Sequence, residues 1–231
     1  MLSFLGDILL FPLLVADLAT AALGFSAEAF RRAATSAEAQ SAALLIAFLA
    51  GVSEMLGQSV ILVVNRVALY RFLASLIFTG VTYVATALTW AASALALAPL
   101  TPAGALSPAE AAGVLGVVSL AFAPRLLGAL SIAPYFGIAF GHLLEVWATM
   151  LAIYGLYTAV DLPLGASIAC GGAGWIISYG LRSFLGRALA KPLGRLKLMV
   201  IGSPLDKSPQ RIIDDLAAAI RERADERTGR R

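Results

Sequence analysis

The stretch FLASLIFTGVTYVATALTWAASALALA, residues 72–98, decides the fold, because it contains no Asp, Glu, Lys or Arg. About 20 mostly apolar residues in helical conformation cross a hydrocarbon core roughly 30 Å thick. Lipid offers no partners for backbone N–H and C=O groups, so a run of this kind must be a helix. The charge-free region extends beyond it: after Arg71 the next charged residue is Glu110, and a second such gap separates Asp161 from Arg182.

The whole chain has the same character. It has 231 residues, of which 60% are hydrophobic and 13% charged, with a mean hydropathy of +0.87. Soluble domains carry about 25% charged residues, so this chain lacks the polar surface to cover a water-soluble core. The sequence therefore predicts an all-α, polytopic transmembrane bundle.

Working outward, the first span is expected over about 41–64, followed by a loop bracketed by Arg66 and Arg71. The second is the 72–98 stretch, closed by the breakers Pro99, Pro102, Gly104 and Pro108. Ser107, Pro108 and Glu110 then form a helix start: a capping Ser, Pro in the first turn and an acid near the N-terminus. Residues 110–160 suit two helices, near 111–132 and 137–160, with Pro124 and Pro134 as interruptions. Asp161–Leu162–Pro163 is a tight connection to a fifth span over about 164–181.

Residues 1–36 form an N-terminal unit. Asp7, Pro12 and Asp17 favour an interfacial helix over 8–25, with a sixth span as the alternative. The start lacks the basic flank of a secretory signal, so the segment is expected to be retained. Residues 37–182 are the membrane domain. From 183 to 231 follow a basic juxtamembrane helix and an amphipathic soluble tail. Arg182, Arg187, Lys191, Arg195 and Lys197 alternate with apolar residues, as on an anionic lipid surface. This basic tail is expected to be cytoplasmic. Counting back through five spans puts the Arg66–Arg71 loop inside and the uncharged 99–109 loop outside. Arg125 then falls near the inner end of the third span, from which it can snorkel.

Two polar stripes are the candidates for chemistry. Glu54, Gln58 and Asn65 lie within about 40° of one another around the first span. His142, Glu145 and Thr149 share a face of the fourth. Ionisable groups at membrane depth are costly and face the bundle interior, where they serve either as an ion path or as interhelical hydrogen bonds. Gly137 and Gly141, and the run containing Gly171 and Gly172, are small-residue positions suited to close helix packing.

Several classes have no support in these residues. Cys170 is the single cysteine and His142 the single histidine, so neither a disulfide nor a multi-histidine metal site is expected within the chain. There is no HExxH, no Gly-x-Ser-x-Gly and no nucleotide loop. The basic tail lacks interleaved aromatics, which argues for a membrane surface and against nucleic acid. No cofactor and no catalytic residues are expected.

Three segments carry a resemblance: residues 51–59 (GVSEMLGQS), residues 120–128 (LAFAPRLLG) and residues 145–156 (EVWATMLAIYGL). They resemble prokaryotic members of the Yip (Ypt-interacting protein) domain family. The matching features are the Phe122–Ala123–Pro124 step and the apolar run from Trp147 to Gly155. The resemblance covers about residues 40–182, and it implies a five-helix membrane domain with no catalytic residues. The Asp-Leu-Tyr-Gly-Pro signature of the eukaryotic members is not found in this sequence.

Taken together, the sequence suggests a non-enzymatic, multi-pass protein of the cytoplasmic (inner) membrane. It would act as a scaffold, assembly or organising factor, with lipid and other membrane proteins as partners and oligomers possible. The alternative is a small ion, proton or solute transporter or channel using the polar residues of the first and fourth spans.

Overall fold

The computed structural model describes residues 2–57, 69–102, 104–132 and 137–180. The chain divides into two units, Met1–Gly186 and Arg187–Arg231, and all described residues belong to the first. Among the described residues every regular element is a helix. Four helical stretches are long and apolar enough to cross a membrane: Ala37–Gly57, Phe72–Leu100, Pro108–Ser131 and Ala139–Ala159. They fall on the first four expected spans.

Helix α1, Leu2–Leu23, buries Val15, Leu18, Ala19 and Ala22 and packs chiefly on α3, Ala37–Gly57. Between them lies α2, Ala27–Thr35, a short amphipathic helix started by the Ser26 hydroxyl, which accepts from the Ala29 N–H. The turn before it holds Phe25 at φ 57, a left-handed backbone that a bulky residue rarely adopts. The Phe25 ring sits edge-on to Tyr154 at 5.5 Å, a contact that holds it there. On α2, Phe30 is wholly buried, and on the other face Arg32 pairs with Asp17 at 3.2 Å. The first 36 residues thus pack into the same unit as the spans.

Helix α3 is the hub, packed against α1, α2, α4 (Leu69–Leu97) and both halves of the third span. Small residues permit this. A Cβ on Gly51 would meet the Thr79 carbonyl at 2.7 Å, and one on Gly80 would meet the Phe48 ring at 2.5 Å, so α3 and α4 approach backbone to backbone. Much of the buried core is alanine, which brings helices close without a gain in transferred apolar area.

The third span changes character midway. Helix α5, Pro108–Leu120, opens with the expected cap: the Glu110 N–H donates to Ser107 Oγ, and the Ser107 N–H donates to Glu110 Oε2 at 2.6 Å. After Phe122 the chain tightens into a 3-10 segment, Ala123–Ile132, with Pro124 buried at its start. Ten residues is long for this form, whose runs seldom exceed three or four. Proline supplies no N–H and so interrupts the α ladder. Helix α6, Gly137–Ala159, leads through Asp161 (φ 53) to α7, Leu164–Ile168. Helix α7 runs on through a π turn, Ala169–Ala173, into a helix over 174–180.

Candidate functional site

Arg125 lies within the 3-10 segment, and its side chain turns into the bundle, 13% exposed. One guanidinium nitrogen, Nη1, donates to Glu54 Oε2 on α3 at 3.1 Å and to the Tyr83 hydroxyl on α4. The other, Nη2, is 3.2 Å from Glu145 Oε1 on α6. The guanidinium carbon also stands 5.3 Å from the centre of the Tyr83 ring, within cation–π range. One cation therefore ties three other spans together.

The local backbone explains how Arg125 reaches both carboxylates. A Cβ on Gly128 would meet Glu54 Cα at 3.1 Å, and one on Gly57 would meet the Gly128 carbonyl at 2.5 Å. The 3-10 segment thus lies directly on the last turns of α3. Ser53, next to Glu54, stitches the two: its hydroxyl donates to the Leu126 carbonyl at 2.6 Å and accepts from the Ala129 N–H at 3.0 Å.

The wall behind the cluster is aromatic. Phe122 sits edge-on to both Tyr83 and Trp90, at 5.7 and 5.8 Å. The Trp90 indole N–H donates at 3.0 Å to the Gly171 carbonyl, in the π turn. Trp175 stacks on Tyr179 at 5.7 Å. Arg125 and Glu145 line a cleft with Trp90, Phe122, Trp175 and Tyr179. Its cavity is about 20 Å³, room for one water.

Of the residues singled out in the sequence, Glu54 and Glu145 meet on one guanidinium. His142 stands beside Glu145, with Nδ1 4.0 Å from Oε2 and its side chain 75% exposed. Thr149 bonds within its own helix, to the Glu145 carbonyl at 2.9 Å. Gln58, Asn65 and the basic residues Arg182, Arg187, Lys191, Arg195 and Lys197 lie outside the described residues. Gly171 packs on Ile153 of α6, and Gly137 packs on the Ser131 carbonyl. Gly141 and Gly172 face open space within 4 Å, so no described helix packs against them. Among the described residues no three His, Cys, Asp or Glu side chains group as metal ligands.

The expected snorkelling of Arg125 is corrected by this geometry. Two partly buried carboxylates hold the cation against the bundle instead. Charge counting held the signal: Glu54 and Glu145 needed a partner, and Arg125 is the one basic residue between Arg71 and Arg182. Tyr83, Trp90 and Ser53 had no such signal, since Tyr, Trp and Ser occur throughout apolar helices. Comparison with protein-family models, with curated proteins and with solved structures found no match to this chain.

Proposed function

We propose that this protein is a non-enzymatic integral membrane protein that moves ions or small solutes, working through Glu54, Arg125 and Glu145. The observation that carries the reading is two carboxylates from different spans sharing a single guanidinium. With both ionised, the cluster holds one surplus negative charge on partly buried groups of an apolar bundle, Glu54 36% and Glu145 20% exposed, an arrangement costly to keep for stability alone. One carboxylate from each polar stripe thus meets Arg125, and Arg125 and Glu145 line the cleft.

The five-span topology, the cytoplasmic tail and the inner membrane location belong to the same proposal and rest on the charge pattern of the sequence. The resemblance to the Yip domain family supports a five-helix domain and adds no chemistry. The test is flux: the full chain is reconstituted in liposomes and proton, sodium and potassium movement is followed under an applied potential. Flux above that of empty vesicles, lost in Glu54→Gln and Glu145→Gln, is expected. Equal flux in all three proteins would remove the reading.

A scaffold role is the second reading, favoured by the same cluster acting as a staple across spans and by a cavity of single-water size. Its partners would be lipid and other membrane proteins, and it would leave the vesicles tight. Purification from native membrane in mild detergent would then bring a reproducible protein partner with it.

A further inference from the structure

The two carboxylates of the cluster face different surroundings. Glu54 meets Arg125 beside the Tyr83 hydroxyl, on the α3–α4 side. Glu145 gives Oε1 to Arg125, while Oε2 turns toward His142 Nδ1 at 4.0 Å. The Glu145 side chain is 20% exposed. From Arg125 of the 3-10 segment the groups pass through Glu145 to His142, one turn away on α6 and exposed.

We propose that Glu145 is a proton-exchange site loaded through His142, and that uptake of the proton releases Arg125 to Glu54 and Tyr83. The proposal rests on the ion-handling reading above and names its ion. In the loading step an N–H bond of the His142 imidazolium breaks and an O–H bond forms at Glu145 Oε2, directly or through one water. Imidazole and carboxylic acid are left neutral, and no electron changes hands. The cluster goes from one surplus negative charge to none, and Arg125 keeps one charged partner.

A proton fits this geometry better than a metal cation. A cation of the sodium or calcium kind takes several oxygen ligands, and among the described residues no three His, Cys, Asp or Glu side chains group as ligands. A proton needs one acceptor oxygen, and Glu145 Oε2 is placed for it. Histidine is the side chain whose ordinary titration falls nearest neutral pH, which suits it as a donor. Among the described residues, the titratable and charged groups facing Glu145 are Arg125 from the 3-10 segment, His142 from its own helix and Tyr179 from the 174–180 helix. Glu54 and Tyr83 act on it through Arg125. From α2, Arg31 reaches instead to the Thr158 carbonyl, about 20 Å further along α6 at 1.5 Å per residue.

The experiment is infrared titration of the full chain in detergent, reading the carbonyl stretch of a protonated carboxylic acid. On acidification, the share of the band that belongs to Glu145, taken as wild type minus Glu145→Gln, is expected to grow. After a rapid pH jump, His142→Ala is expected to reach the same amplitude about a hundredfold more slowly, the modest end of a positioned proton donor's effect. His142 is exposed, so this variant keeps the packing. A band of equal size in wild type and Glu145→Gln overturns the proposal. An unchanged rate in His142→Ala overturns the loading route. The measurement needs no transport: a band without flux removes the transport reading and keeps the proton site, while flux without a band does the reverse.

Discussion

The hydroxyl of Ser53 donates to the carbonyl of Leu126 at 2.6 Å, joining the first span to the 3-10 half of the third. The same oxygen accepts from the Ala129 N–H. Leu126 and Ala129 are three residues apart, the spacing of a 3-10 hydrogen bond. One side chain therefore occupies the position of a backbone bond and holds the segment that carries Arg125.

Ser53→Ala is expected to leave that carbonyl and N–H unmatched in an apolar setting, at a cost of about 1–3 kcal/mol. Unfolding of the purified protein by titration with a denaturing detergent measures it. An unchanged midpoint would mean that the 3-10 segment holds its shape without this bridge.

Removing the cation is expected to be worse than removing a carboxylate. Arg125→Leu leaves Glu54 and Glu145 without their shared cation and is expected to cost less than the about 3–5 kcal/mol of a fully buried pair, because Glu54 is 36% exposed. The triple change Arg125→Leu, Glu54→Gln, Glu145→Gln removes the charges together and should recover much of the loss. The same detergent titration reads both. Equal instability of the triple variant would show that Arg125 contributes by packing rather than by charge.

The glycines separate into two groups by what a methyl would meet. At Gly116 a Cβ would collide with the Ala33 carbonyl of α2. Gly116→Ala is expected to destabilise by about 1–3 kcal/mol, as overpacking does. At Gly141 nothing lies within 4 Å, so Gly141→Ala is expected to change stability by no more than about 1 kcal/mol, and in the stabilising direction of helix propensity. Thermal unfolding of the two variants side by side tests the contrast.

Trp90→Phe keeps an aromatic ring against Phe122 but loses the indole N–H bonded to the Gly171 carbonyl. A loss of about 1–2 kcal/mol is expected, since a buried carbonyl is left without its donor. Hydrogen exchange should quicken in the π turn Ala169–Ala173 and leave α5 unaffected. Uniform quickening across the bundle would place the effect elsewhere.

Cys170 is wholly buried at the same turn. It is expected to resist a maleimide in the folded protein and to react after denaturation, with mass spectrometry reading the adduct. Labelling of the native protein at the denatured rate would mean that this turn opens freely.

The spans were legible because each depends on a property local to its own residues. An uncharged run of sufficient length has no comfortable place outside lipid, whatever its neighbours do. The cap at Ser107 and Glu110 is local in the same way. The middle of the third span was legible only as an interruption at Pro124: its 3-10 form is bridged by Ser53, 73 residues from Leu126. For the glycines, Gly137-x-x-x-Gly141 carries the spacing of a packing motif, yet only contact with another element gives a small residue its role.

By itself, then, the sequence determined that the chain is helical and where four apolar helices lie, because backbone satisfaction in lipid and hydrophobic length are set residue by residue. It also supplied the two carboxylates and the histidine as candidates. Only the tertiary structure decided that Glu54 and Glu145 share Arg125, with His142 on the open side of Glu145. Coulombic pairing depends on separations of a few ångströms between helices distant in sequence. Those separations are set by glycines and alanines whose contacts no single helix can specify.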